Sequence, residues 1–231
     1  MKILSIIFSL FILGQAAVTA QGYDANTNYD TIDAEKRKEI SQLAIRALKD
    51  GVLIVRLKTG SKQVAALQKL ANGKNVSADE RERFEKKAAK WQVEKRLKNQ
   101  WLMEAFRKKY SFSDVLYMPD TSTQQLKNGV QSGYFLNAEM EVDPSISLDG
   151  RPYLVAYYGS SFSSQKTGAE GIVVLDNNLK ELPAPFPHFV GMATIKKVFK
   201  RLFNKVEEGE LYVELLEKFN KKVKGFYKDF N

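Results

Sequence analysis

Apolar residues recur at helical spacing in several stretches of this chain, and short β-branched runs stand between them. Ile40, Leu43, Ala44, Ala47 and Leu48 mark one face of a helix with charges between them. Gly51 follows where a C-terminal cap belongs. Val52-Leu53-Ile54-Val55-Arg56-Leu57 is the clearest strand, and its near-continuous apolar character suits a strand covered on both faces. Ser61 is placed to cap a short helix bearing Val64, Leu67 and Leu70, ended by Asn72-Gly73. Ser77-Ala78-Asp79-Glu80 reads as a capping box, in which hydroxyl and carboxylate each satisfy a free amide of the first turn. It opens a helix running to about Tyr110. Its apolar stripe is Phe84, Ala88 and Trp91, then Leu97, Trp101, Leu102, Ala105 and Phe106. The stripe is thin before Leu97, so the first half is expected to project or bend.

Beyond Tyr110 the period shortens. Val115 to Met118 reads as a strand stopped by Pro119, and Thr121 to Asn128 as one helical turn. Tyr134-Phe135-Leu136 is an apolar patch of no definite type. Tyr153 to Tyr158 and Gly171 to Leu175 are two more strands. Asp176-Asn177-Asn178 is turn chemistry, with Leu179 to Leu182 as a possible returning arm. Pro183, Pro185 and Pro187 exclude regular structure through the next stretch. Two amphipathic helices are expected to close the chain within 192–231, one from Ile195 to Val206 and one carrying Tyr212, Leu215, Leu216, Phe219, Val223, Phe226 and Phe230. The sum is an α/β fold: a small mixed sheet of four to five strands with flanking helices and a C-terminal helical pair.

The first residues change the picture of where this fold works. Lys2 is followed by an apolar run from Ile3 to Leu13, and Val18-Thr19-Ala20 offers small residues for cleavage. This is the order of a secretory signal peptide, so residues 1–20 are expected to be removed and 21–231 to form a single exported domain. A short membrane anchor is the alternative, but the run falls short of the roughly 20 apolar residues a span needs. Residues 21–30 are polar and turn-forming and are expected to be a loose terminus. The chain has no cysteine, which excludes disulfides, thiol catalysis and Cys-ligated metal.

Charge is unevenly spread over a net +9. Residues 21–76, 77–110 and 192–231 carry net +4, +5 and +4, against −5 over 111–191. Basic helices covering an acidic-edged sheet would account for this. So would a basic face for an anionic partner in the envelope, whether lipid headgroups, anionic glycans or another protein, with nucleic acid improbable after export.

The order of elements resembles the thioredoxin-like fold over roughly residues 52–206, and Pro152 stands before a strand where that fold places a cis-proline. That resemblance implies no redox activity, because C-x-x-C is absent. The stretches GVLIVRLKTGSKQVAALQKL, FSDVLYMPDT, GIVVLDNNLKEL and PFPHFV are also similar to uncharacterised exported proteins of the Bacteroidota, a group that implies no function.

Candidate chemistry is sparse. His188 is the sole histidine, in a proline-rich aromatic loop, so multi-histidine metal sites are excluded and a structural role is expected. Glu139, Glu141, Asp143 and Asp149 are weak candidates for a cation or an acid/base pair, without the spacing of an EF-hand loop. Ser163 to Gly168 matches S-x-x-K and K-T-G over one shared lysine, whereas penicillin-interacting enzymes use them as separate elements. Lys196, Lys197, Lys200 and Arg201 lie on the polar side of their helix and could contact an anionic membrane. With Tyr153 and Tyr157, they form the candidate binding set. The expected function is binding or assembly in the envelope, with no cofactor implied. The rival is a hydrolase using carboxylates such as Glu139, Glu141 or Asp143.

Overall fold

The computed structural model describes residues 28–192 and 208–230. Helix α1 (Ala34–Asp50) leads into strand β1 (Val52–Leu57), followed by α2 (Ser61–Ala71) and α3 (Ala78–Lys109). Strand β2 (Asp114–Pro119) is followed by a 3-10 turn and the short α4 (Thr123–Lys127). Then come β3 (Tyr153–Gly159), β4 (Gly171–Leu175), β5 (Phe189–Gly191) and helix α5 (Glu208–Lys228). The five strands form one mixed sheet in the order β2-β1-β3-β4-β5. β1 lies parallel to both β2 and β3, and β4 is antiparallel to β3 and to β5. The expected mixed α/β architecture is what the chain adopts.

Alternation along the strands divides the core into two. Leu53, Val55 and Leu57 of β1, with Leu154 and Ala156 of β3, face α1, the second half of α3, and α5. Val52 and Ile54, with Val155 and Val173, face the opposite way onto Leu126, Tyr134, Phe135 and Leu148. The undefined patch at 134–136 is therefore a core segment. Leu136 also pairs with Tyr117 at the outer edge of β2, its amide donating to the Tyr117 carbonyl at 2.8 Å.

Helix α3 has the predicted reciprocal capping box between Ser77 and Glu80, and it runs about 48 Å at 1.5 Å per residue. Among the described residues its first half packs mainly on α2, and Val93 and Leu97 are exposed. Its second half packs on α5, where Phe106 meets Phe219 edge-on and Tyr110 stacks on Phe219 at 5.6 Å. Helix α5 buries Leu211, Tyr212, Leu215, Leu216, Phe219 and Val223, the stripe read from its spacing.

Several local expectations change. Ser61 is the first helical residue of α2, and the cap is Gly60 at φ +72° with no side-chain bond. Gly51 is the C-cap of α1, as its position suggested, and its lack of a side chain serves space: a Cβ there would lie 2.0 Å from the Pro152 carbonyl oxygen. Residues 28–30 are not loose, because Tyr29 is buried against the core. The cis peptide among the described residues is Ala184–Pro185, and the bond before Pro152 is trans, so the proline feature of the thioredoxin resemblance is absent. The arm after β4 makes one bridge, Leu175 to Glu181, and the strand that pairs with β4 is β5, which starts just beyond Pro187-His188. The signal peptide and the Ile195–Val206 helix lie outside the described residues.

Candidate anion site at the carboxyl edge of the parallel strands

The connection leaving β1 runs to β2 on one side, and the connection leaving β3 runs to β4 on the other. Between the carboxyl ends of β1 and β3 the sheet therefore opens at a switch point, where α/β sheets commonly bind ligands. A cleft of about 110 Å³ lies there. β1 supplies Arg56 and the following residue Lys58, α3 supplies Lys95, Lys98 and Asn99, and β3 supplies Tyr158. Glu170, Met192, Glu208 and Tyr212 close the opposite side.

Each contribution follows from its element. Arg56 is the third residue of β1 on the face that carries Val52 and Ile54, so the strand turns a guanidinium where an apolar side chain would be expected. Its register partner on β3 is Tyr157, and the guanidinium carbon lies 5.2 Å from that ring's centre. The Lys58 amine approaches the same ring at 5.6 Å, and the bare Gly159 leaves it room. On α3, Trp91, Lys95, Lys98, Asn99 and Leu102 fall at i, i+4, i+7, i+8 and i+11, a single helical face. The Lys95 amine lies 4.9 Å from the Trp91 ring centre.

The backbone around the cleft is fixed from two directions. The Asn99 amide donates to the Lys58 carbonyl at 3.2 Å, tying α3 to the end of β1. The Thr59 amide and hydroxyl donate to one Asp120 carboxylate oxygen at 3.0 and 2.6 Å, tying the exits of β1 and β2 together. A site held this way spends little ordering entropy on binding.

The electrostatics favour an anion. Among the described residues, Arg56, Lys58, Lys95 and Lys98 border the cleft against Glu170 and Glu208, with the Arg56 guanidinium turned over Tyr157 on the other face of the sheet. Lys58 keeps an exposed flank, but its amine is crowded, and that loss of water lowers its pKa from 10.5. Lys95 and Arg56 lower it further, while Glu170 and Asp120 act the other way. The Arg56 Nε is buried without a hydrogen-bond partner. An unmet buried polar group costs about 1–3 kcal/mol, whereas a cation–π contact contributes about 0.5–2 kcal/mol. The arrangement around Arg56 therefore does not stabilise the fold appreciably. On the opposite wall the Tyr158 hydroxyl donates to Glu170 at 3.2 Å, its ring lies 5.1 Å from Tyr212, and burial pushes its pKa well up.

Of the residues singled out from sequence, Tyr157 lies next to this cleft, on the opposite face of the sheet, with Arg56 and Lys58 over its ring. Tyr153 sits at the far end of β3, packed against the core on the Ile54 face. Lys196, Lys197, Lys200 and Arg201 lie outside the described residues. Glu139 and Glu141 are exposed, their amides donating to Asn137 at 3.1 and 2.9 Å. Asp143 accepts from the Ser145 amide and hydroxyl, which lowers its pKa, and Asp149 is an exposed turn residue. Among the described residues no three His, Asp or Glu side chains stand close enough to hold a metal ion. His188 lies on a different cleft with its Nδ1 3.3 Å from the Phe186 carbonyl oxygen, and Ser163 faces the Ser161 hydroxyl at 3.1 Å.

Sequence reading passed over Arg56, Lys58, Lys95 and Lys98. The available clue was Arg56 itself, an arginine inside an otherwise apolar buried strand. No protein-family model matches the chain, and neither a curated protein nor a solved structure matches it.

Proposed function

We propose that this is an exported binding protein of the cell envelope whose ligand is a small anion seated at the carboxyl edge of β1 and β3. The observation that carries the reading is the set of basic residues at the switch point, Lys58, Lys95 and Lys98, with Arg56 at the end of β1 beside them. At about 110 Å³ the cleft suits a compact oxyanion such as phosphate, sulfate or a carboxylate, or a headgroup bearing one. Export rests on the charged, apolar, small-residue order of residues 1–20. No helix among the described residues is long and apolar enough to cross a membrane.

Calorimetric titration of the purified protein with inorganic phosphate tests the reading, with vesicles of phosphatidylglycerol or phosphatidylcholine as a second arm. Saturable phosphate binding that Lys58→Met and Lys95→Met each weaken would support a free anion. Binding confined to phosphatidylglycerol vesicles and weakened by the same changes would assign a headgroup. Binding to none of these, or binding indifferent to both substitutions, would refute the proposal.

A further inference from the structure

The outward side of α3 carries a pattern that neither its packing nor the cleft uses. Glu82, Lys86, Val93, Leu97, Glu104 and Lys108 recur at intervals of four, seven, four, seven and four residues. Those intervals keep them on one side of a helix with about 3.6 residues per turn. All six are exposed, Val93 by 69% and Leu97 by 41%. Single exposed apolar residues are ordinary on a protein surface. Here two of them stand one turn apart at the middle of a charged stripe, with a Glu–Lys pair beyond each. Glu82 bonds Lys86 and Glu104 bonds Lys108, each at 2.6 Å. Lys95 turns the other way, to the cleft, so whatever covers this stripe leaves the anion site open.

The stripe is its own complement when reversed. Its intervals read the same in both directions, and each residue has a counterpart equally far on the other side of Lys95. Consider two α3 helices laid antiparallel, with a two-fold axis at that level. Glu82 then faces the second copy's Lys108, Lys86 faces the second copy's Glu104, and Val93 faces the second copy's Leu97. Such an interface is isologous, so every contact occurs twice. Lys90 and Gln100, exposed on the same side, also fall opposite each other as donor and acceptor. Parallel alignment in register would set Glu against Glu and Lys against Lys. We infer that α3 carries a self-association surface, and that its partner is a second copy of this chain docked antiparallel from Glu82 to Lys108. The seam is about 39 Å long at 1.5 Å per residue. Each end gathers two carboxylates and two amines, and Val93 and Leu97 of both copies meet between them. Lone surface ion pairs contribute little, whereas networks do more, and their signs decide which alignment is allowed. An anionic lipid surface suits the stripe less well, because the charges of its six residues alternate and cancel.

Two charge reversals test the alignment without touching the cleft. Sedimentation equilibrium of the purified protein is expected to show a reversible dimer, with concentrations carried to about 1 mM because a two-helix seam is smaller than a standard interface. Lys86→Glu sets a carboxylate against the second copy's Glu104, and Glu104→Lys sets an amine against the second copy's Lys86. Each variant alone is expected to dimerise at least about tenfold more weakly. Mixed in equal amounts, the two variants face each other with every charge matched. The mixed dimer is expected to recover to within about threefold of the unaltered affinity. A role in helix stability alone gives no such rescue, because each variant brings its own lost intrahelical pair into the mixture. Val93→Ser, which disturbs no ion pair, is expected to weaken the dimer about fivefold. Far-ultraviolet circular dichroism equal to that of the unaltered protein establishes that each variant is folded. A monomer at every concentration overturns the proposal, as does a dimer indifferent to both reversals or one that mixing fails to restore. Monomers that bind phosphatidylglycerol vesicles, and lose that binding on Val93→Ser, would assign the face to lipid and overturn it likewise.

Discussion

The Tyr29 hydroxyl donates to the buried Asp176 carboxylate at 2.5 Å, joining residues 147 positions apart. The other Asp176 oxygen accepts the amides of Asn178 and Lys180 at 2.9 and 2.8 Å. A carboxylate wholly removed from water is thus fully bonded, and it fixes the turn after β4 to the segment ahead of α1. Removing one donor leaves the acceptor buried and short of a partner, at a cost of about 1–3 kcal/mol. Tyr29→Phe is expected to lower the unfolding free energy by that amount, seen as a lower urea midpoint at unchanged slope, without changing phosphate affinity. A midpoint equal to that of the unaltered protein would show that the contact contributes nothing.

Gly51→Ala tests the junction between α1 and β1. Its Cβ would stand 2.0 Å from the Pro152 oxygen and 2.6 Å from the Ala47 oxygen, both of them backbone. Backbone cannot swing aside as a side chain can, so strain of about 1–3 kcal/mol is expected. The Val52 amide bond to the Pro152 oxygen is the contact to be lost. Hydrogen exchange at Val52 is the sensitive readout, and unaltered protection there would argue against the clash.

Arg56→Met is expected to separate stability from binding. The change gives up a cation–π contact and removes an unmet buried nitrogen, terms of similar size and opposite sign. Thermal stability should therefore hold or rise, while sulfate affinity falls about tenfold. A large loss of stability would mean that the guanidinium is structural.

Sulfate keeps its charge over the working range and so isolates the protein's own titration. Lys58 is protonated below its lowered pKa and neutral above it. The anion favours the protonated form, so affinity is expected to fall as pH rises through a window below 10.5. The groups facing the amine are Arg56 and Lys95, which lower its pKa, and Glu170 and Asp120, which raise it. Without ligand, the unfolded chain binds the Lys58 proton more tightly than the folded one, so this residue's penalty on stability is relieved as pH rises through the same window. Lys58→Arg should abolish the step in sulfate affinity. Calorimetry across that range, in a buffer that does not compete for the site, gives the answer.

Elements whose stability is local could be read from the sequence. The Ser77 capping box announced α3, β-branched runs announced β1, β3 and β4, and spacing alone located the buried face of α5. β5 was hidden because Phe189-Val190-Gly191 is three residues long and starts two residues after Pro187, so its pairing with β4 rather than its composition makes it a strand. Tyr29 was read as part of a loose terminus because nothing nearby in sequence explains its burial. The site was hidden for a related reason. Lys58 and Lys95 look like two of many solvated lysines until the crossover from β1 through α2 to α3 brings them together.

The meeting of Leu136 with Tyr117 bears on how this chain behaves when crowded. β2 is an outer strand, and parallel outer strands present a ladder of open amides and carbonyls to any neighbouring molecule. Leu136 occupies the Tyr117 carbonyl, and the doubled-back segment to Val142 stands beyond it as a blunt end. The opposite border, β5, is too short to template a strand. Among the described residues, neither border of the sheet therefore offers a long open ladder for edge-to-edge pairing between copies.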